Sequence, residues 1–211
     1  MPYIFEKMIC LVGIAIATLS IQSIAADWSV VISDELYKDE AIRVALSDLT
    51  ELGETIEVAF HVVNDAELPA GECILVGSPA RNNIAAQFAS KLQDNAIDSN
   101  GFQIVTVNEN DRKIIVISGG DILGDVYGLF WMSDRLRVNK KIPNLNLIRE
   151  PKLEVRISPS WGRRGADGNT KEEMRNALRS GLNWVSGPPI LDLVPWKIEP
   201  EKSANALNRE K

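Results

Sequence analysis

A chain of 211 residues, 45% of them hydrophobic, is long enough to bury a real core and allows one domain or one and a half. Its net charge of −6 is unevenly spread: residues 27–138 hold 8 Lys/Arg against 19 Asp/Glu, and residues 139–211 hold 14 against 9. An acidic main body excludes nucleic acid as a partner, and the bases of the second part are dispersed among acids rather than clustered.

The amino terminus reads as a secretory signal peptide over residues 1–25, with Lys7, an apolar run from Met8 to Leu19, and the small residues Ser23 and Ala25 at the recognition positions. Cleavage after Ala25 predicts an exported protein, periplasmic or extracellular, with no stable membrane insertion once the signal is removed. An uncleaved anchor is the alternative, opposed by Thr18, Ser20, Gln22 and Ser23, which dilute the run. Cys10 falls within this leader, so Cys73 stands alone and the mature chain forms no internal disulfide. At the head of Cys73-Ile74-Leu75-Val76 it is expected to act as a small buried hydrophobe.

Residues 28–32 predict a first strand. Ala41, Val44, Ala45, Asp48, Leu49 and Leu52 then recur at helical spacing, with Gly53 as the expected stop. Ile56, Val58, Phe60 and Val62 alternate with Glu57, Ala59, His61 and Val63, predicting a strand with one strongly apolar face. His61, the sole histidine, falls on the other face and has no ligand spacing around it, so no metal is expected there. Residues 73–77 predict a short buried strand, 83–92 a short amphipathic helix, and 101–107 a strand that residues 108–112 turn back as a hairpin.

Residues 113–138 carry the clearest plan. The β-branched run Ile114-Ile115-Val116-Ile117 predicts a central strand covered on both faces. Gly119-Gly120 breaks it, and Asp121 caps a helix whose Ile122, Val126, Leu129, Phe130 and Leu136 share a face that Leu123, Tyr127 and Trp131 widen. The glycine pair lacks both the dinucleotide and the Walker pattern, so it reads as a strand-to-helix turn and no cofactor is expected. The fold class that follows for residues 26–138 is α+β, a mixed β-sheet with helices packed on it.

Residues 139–152, with Pro143, Pro151, asparagines and scattered charges, read as a linker. Residues 153–198 begin a new unit: a strand at 153–158, a glycine-rich loop, a helix at 170–180 with Thr170 and Glu173 in capping-box spacing, and a strand at 182–186. Strand, helix, strand with a crossover of this length is a βαβ unit. Residues 199–211 are charged and expected to be disordered.

Four stretches then carry a resemblance: Ile74-Leu75-Val76-Gly77-Ser78-Pro79, Gly101-Phe102-Gln103-Ile104, Ile115-Val116-Ile117-Ser118-Gly119-Gly120-Asp121 and Gly124-Asp125-Val126-Tyr127-Gly128-Leu129. In order and spacing they resemble the α+β domain that precedes the catalytic barrel in β-hexosaminidases of family 20 and α-glucuronidases of family 67. The resemblance covers roughly residues 28–150 and continues through Pro151 and Arg156 into what looks like an incomplete (β/α) barrel start.

The resemblance implies a non-catalytic N-terminal portion of an exported glycoside hydrolase, because the family's catalytic carboxylates lie on later barrel strands. No catalytic residue is carried over, and whether this chain is an enzyme stays open. Trp161, Arg163 and Arg164 follow the first barrel strand, at the face where active sites form. There an aromatic can stack on a sugar and an arginine can pair with a carboxylate, so the expected partner is a carbohydrate, with uronic-acid-containing sugars among the candidates. A packing tryptophan in an exposed loop is the competing reading. The alternative function is a self-standing exported binding or scaffold module, in which Trp184 and the Ile190, Leu191, Leu193, Val194, Trp196 cluster would cover the sheet.

Overall fold

A computed structural model describes residues 26–93, 97–158 and 170–185. The elements are β1 (Ala26–Ile32), α1 (Asp34–Tyr37), α2 (Glu40–Thr55), β2 (Val58–Val63), β3 (Cys73–Val76), α3 (Asn83–Ala86), β4 (Phe102–Glu109), β5 (Arg112–Gly119), α4 (Ile122–Asn139), β6 (Asn146–Arg149), β7 (Ile157–Ser158), α5 (Thr170–Arg179) and β8 (Trp184–Val185). The expected elements occur in the expected order, with α1 and β6 in addition, and the fold is α+β. The signal peptide, the tail at 199–211 and the apolar cluster at 190–196 lie outside the described residues.

The main sheet has six strands in the order β2-β1-β3-β5-β4-β6. β2, β1, β3 and β5 run parallel, whereas β4 is antiparallel to both β5 and β6. Side chains alternate between two apolar layers. Val30, Ile32, Ile74, Val76, Ile115 and Ile117 face α2 and α4, and Val31, Cys73, Leu75, Ile114 and Val116 face the α3 side. Residues on β3 and the Ile114–Ile117 run have no solvent exposure, which is why the sequence there is continuously apolar rather than alternating.

The hairpin between β4 and β5 closes through Asn110 and Asp111, both left-handed at φ 51° and 60°, the geometry of a type I′ turn. Asp121 accepts a hydrogen bond from the Gly124 amide at 2.8 Å and caps α4, as expected. The Gly119-Gly120 turn is a crossing of backbones. A Cβ on Gly119 would meet the Asp125 amide, one on Gly120 the Asp98 carbonyl, and one on Gly124 the Gly101 carbonyl, so α4 starts in direct contact with the strand ends.

Several expectations are corrected. α2 does not stop at Gly53 but runs to Thr55, with Glu57 taking the left-handed position at φ 57°. Gly53 is needed for another reason: a Cβ there would strike the Val58 carbonyl and the Phe60 ring, so the helix crosses β2 closely. β2 is an edge strand, and Val62 is 38% exposed instead of completing an apolar face. Ile122, at the first turn of α4, is 39% exposed because it precedes the part of the helix that lies on the sheet. The helix expected over residues 83–92 divides into α3 and a 3₁₀ turn at Ala89–Lys91.

Residues 139–152, read as a linker, contain β6. This strand adds to the β4 edge with Phe102 opposite Arg149 and Val105 opposite Asn146. The alternation Leu145, Leu147 against Asn144, Asn146 is too short to stand out beside Pro143 and the neighbouring charges. The free edge of β4 decides it, and Leu145 and Leu147 pack on the core.

β7 and β8 pair in parallel across α5, so the predicted βαβ connection is present, but its strands are short: Ile157–Ser158 against the predicted 153–158 and Trp184–Val185 against the predicted 182–186. No helix among the described residues is long and apolar enough to cross a membrane.

Candidate functional site

Trp161, Arg163 and Arg164 lie outside the described residues. Flanking them, β7 and α5 bring the βαβ unit onto the α+β domain through two seams that sequence reasoning did not single out as sites.

The first seam is organised by Arg156. Its guanidinium donates to the carbonyls of Gly181 at 2.5 Å and Leu153 at 2.6 Å and to the Asn100 side-chain oxygen at 3.0 Å, and lies 5.6 Å from the centre of the Tyr127 ring. Asn183 ties the two short strands together. Its Oδ1 accepts from the Arg156 amide at 2.8 Å, and its Nδ2 donates to Glu154 O at 2.6 Å and Asn100 Oδ1 at 3.0 Å. Asn100, left-handed at φ 64°, passes the network on to the α4 cap through Asp121 at 2.9 Å. Tyr127 Oη donates to the Leu182 carbonyl at 3.2 Å, and burial raises its phenol pKa while Arg156 works against the shift. Between α4, the end of β6 and the α5 terminus this seam leaves a cleft of about 270 Å³, with Phe102, Tyr127, Trp131, Arg149, Pro151 and Gly181 among its lining residues. Phe102 and Trp131 are tilted against each other at 6.5 Å, and the Arg135 guanidinium lies 4.8 Å from the centre of the Trp131 ring.

The second seam is ionic and opens a cleft of about 660 Å³ between α2, α4 and α5. Asp48, buried on α2, pairs with Arg179 of α5 and with Arg137 of α4 at 3.8 Å. Arg175 reaches Glu51 at 3.5 Å, Arg179 approaches Asp134 at 3.8 Å, and Arg179 sits 5.5 Å from the centre of the Phe130 ring. Glu51 is held below the usual carboxylate range by the Ser47 hydroxyl, with Arg175 adding to the effect. Although this cleft is the larger, its charges neutralise one another across the joint, the arrangement of a docking surface. Asp48 falls at a core-facing position of α2, which is the one sequence signal for it.

The Gly119-Gly120 turn satisfies its polar groups internally. Gly119 N–H donates to Asp125 Oδ1 at 2.6 Å, and Arg81 donates to Asp125 Oδ2 at 3.0 Å, Gly119 O at 2.7 Å and Asp121 O at 3.2 Å. Burial pushes the Asp125 carboxyl up to about 6 despite Arg81 and the Gly119 amide. Next to Arg81, buried Asn82 bridges the Val31 and Val76 carbonyls and caps α3. This corner is a structural clamp, consistent with the turn reading.

Cys73 is free and buried, and burial raises its thiol to about 11. His61 is exposed with Asp27 at 3.3 Å, and no metal-holding group of three His, Cys, Asp or Glu occurs among the described residues.

No family model matches the chain, and no curated protein does. Among solved structures, CpGH84D is similar over 87% of this chain at 16% identity and a TM-score of 0.53. The likeness is one of fold. The matched share exceeds the α+β domain alone, while the chain spans only 31% of the length of CpGH84D. A second structure, a GH138 enzyme targeting pectin rhamnogalacturonan II, matches 62% of this chain and 16% of its own at 13% identity and a TM-score of 0.39.

Proposed function

We propose that this chain is the N-terminal, non-catalytic portion of an exported glycoside hydrolase of the α-glucuronidase or β-hexosaminidase type, acting in oligosaccharide or polysaccharide breakdown. The observation that carries the reading is the parallel β7–α5–β8 unit held directly against a six-stranded α+β domain by Arg156, Asn100 and Asn183. A sheet domain passing into a parallel βαβ unit is the order in which an accessory domain precedes a barrel, and the likeness to CpGH84D runs through both parts.

Glycoside cleavage needs two carboxylates flanking one bond, and a barrel that positions them takes about 250 residues. The parallel β7–α5–β8 unit is one βαβ repeat, and Asp167 and Asp192 are the only aspartates in the sequence after Pro151. In this reading Trp161, Arg163 and Arg164 belong to the sugar-binding face that later strands complete, and the leader directs export.

The test is to incubate the purified chain with aryl glycosides of glucuronic acid, N-acetylglucosamine and xylose, and to sequence the coding region beyond Lys211. No turnover together with further in-frame βα units is expected. Turnover that disappears in Asp167→Asn or Asp192→Asn, or a stop codon directly after Lys211, overturns the proposal.

A further inference from the structure

Asn100 and Gly101 form the only Asn-Gly dipeptide in the sequence. The fold calls for both residues. Asn100 is left-handed at φ 64°, a conformation that asparagine tolerates better than most side chains do. A Cβ on Gly101 would meet Ile97 Cγ2 at 2.8 Å and the Asp98 carbonyl at 2.9 Å, so a larger residue there would force backbone to move. This pairing is also the one most open to an intramolecular reaction, because a glycine leaves its own peptide nitrogen unshielded by any side chain.

Both reacting groups are held in the folded chain. The Gly101 N–H donates to the Asp98 carbonyl at 2.8 Å. Asn100 Nδ2 donates to Asp121 Oδ2 at 2.9 Å, and Asn100 Oδ1 accepts from Arg156 and from Asn183, each at 3.0 Å. Two of these three side-chain restraints come from the residues that lead into β7 and β8. If the βαβ unit lifts away, the amide keeps only its bond to Asp121.

We propose that Asn100 is a self-modification site, a deamidation site gated by the docking of β7 and β8. When the seam opens, the Gly101 nitrogen gives its proton to solvent and attacks Asn100 Cγ. The N–Cγ bond forms, the Cγ–Nδ2 bond breaks, and the amide nitrogen leaves as ammonia. Water then opens the cyclic imide at either of its carbonyls, leaving an aspartyl or an isoaspartyl residue. Water is the only co-reactant. Either product weakens the joint: the donor that reached Asp121 becomes an oxygen facing a carboxylate, and like charges at that spacing repel. The isoaspartyl form also adds a carbon to the main chain just before Gly101, whose carbonyl accepts from Gly120 at 3.0 Å and lies where a Cβ on Gly124 would fall. Modification is therefore a one-way record of undocking.

The experiment incubates the full chain in mildly alkaline buffer, native and in urea, and follows the peptide containing Asn100 by mass and by isoaspartate assay. Asn100 is expected to react about a hundredfold more slowly in the native chain than in urea, the scale of opening two or three net hydrogen bonds. Asn183→Ala is expected to raise the native rate about fivefold, the scale of one net hydrogen bond, and Arg156→Lys, which keeps the charge but loses the planar fork, should act in the same direction. The separated modified chain should exchange its amides over residues 170–179 faster than fresh protein does. Three outcomes overturn the proposal: equal rates in the native chain and in urea, both variants folded and reacting at the wild-type native rate, or a modified chain whose exchange over residues 170–179 is unchanged.

Discussion

Replacing Gly124 by alanine sets two effects of known size against each other. Gly124 lies in the first turn of α4, where alanine favours the helix by up to about 1 kcal/mol. The added Cβ would point at the Gly101 carbonyl, with Gly119 Cα 3.0 Å away. Both obstacles are backbone, so no rotamer change relieves them, and α4 would have to lift from the strand ends. Lifting it would also pull Asp125 from the Gly119 amide and Arg81. Overpacking of this kind costs about 1–3 kcal/mol and occasionally more, so the loss wins. We predict that Gly124→Ala destabilises the chain by about 2 kcal/mol, lowering Tm by about 2–4 °C for each kcal/mol in a chain of this size. Gly128→Ala is the internal control. Its Cβ would meet the Ile117 side chain, with Phe102 at 3.5 Å, and side chains can shift, so a smaller loss is expected. Urea unfolding of both variants reads the difference. A Gly124→Ala chain as stable as wild type, or less perturbed than Gly128→Ala, would refute the close-crossing argument.

Asp125 titrates at about 6 in the fold, above its ordinary 3.8, so the folded state binds the proton more tightly than the unfolded one. Its contribution is full below about pH 4 and is lost as pH rises through about 6; urea midpoints for Asp125→Asn should lack that downward component over this window, and parallel pH profiles would count against it. Asp48→Asn removes the carboxylate shared by Arg137 and Arg179, and at a partly exposed joint a cost of about 1–2 kcal/mol is expected. Amide exchange over residues 170–179 should speed up more than exchange in β3, and uniform acceleration would show that the seam does not hold α5. Cys73, buried with its thiol raised to about 11, should resist an aromatic disulfide reagent until the chain unfolds, and rapid labelling of native protein would contradict its packing.

Local chemistry made much of this fold legible. The Ile114–Ile117 run, the Asp121 cap and the returning hairpin are each encoded within a few residues, by period, by a side-chain acceptor or by turn residues, and each forms where the pattern places it; the βαβ connection forms too, with shorter strands than its pattern suggests. Trp161, Arg163 and Arg164, read from the sequence as sugar-facing residues, fall outside the described residues. What the sequence did not disclose depends on distant partners. Gly53 looks like a helix stop, but the Val58 carbonyl and Phe60 ring make it a contact residue. Residues 146–149 look like linker until the free edge of β4 accepts them as a strand.

The two seams show the same division. Asn100, Asp48 and Arg179 are ordinary polar residues in sequence, and they acquire roles only when α5 docks on α2 and α4 and when β7 comes beside the α4 cap. The reason is physical: capping, turn formation and apolar periodicity are interactions among near neighbours, whereas a pairing 131 residues apart, as between Asp48 and Arg179, exists only after the sheet has placed its helices. Sequence alone therefore determined the elements that near neighbours specify, while β6 waited on the edge of β4. The tertiary structure decided which charges meet, because only the placed helices bring Asp48, Arg137 and Arg179 to one joint.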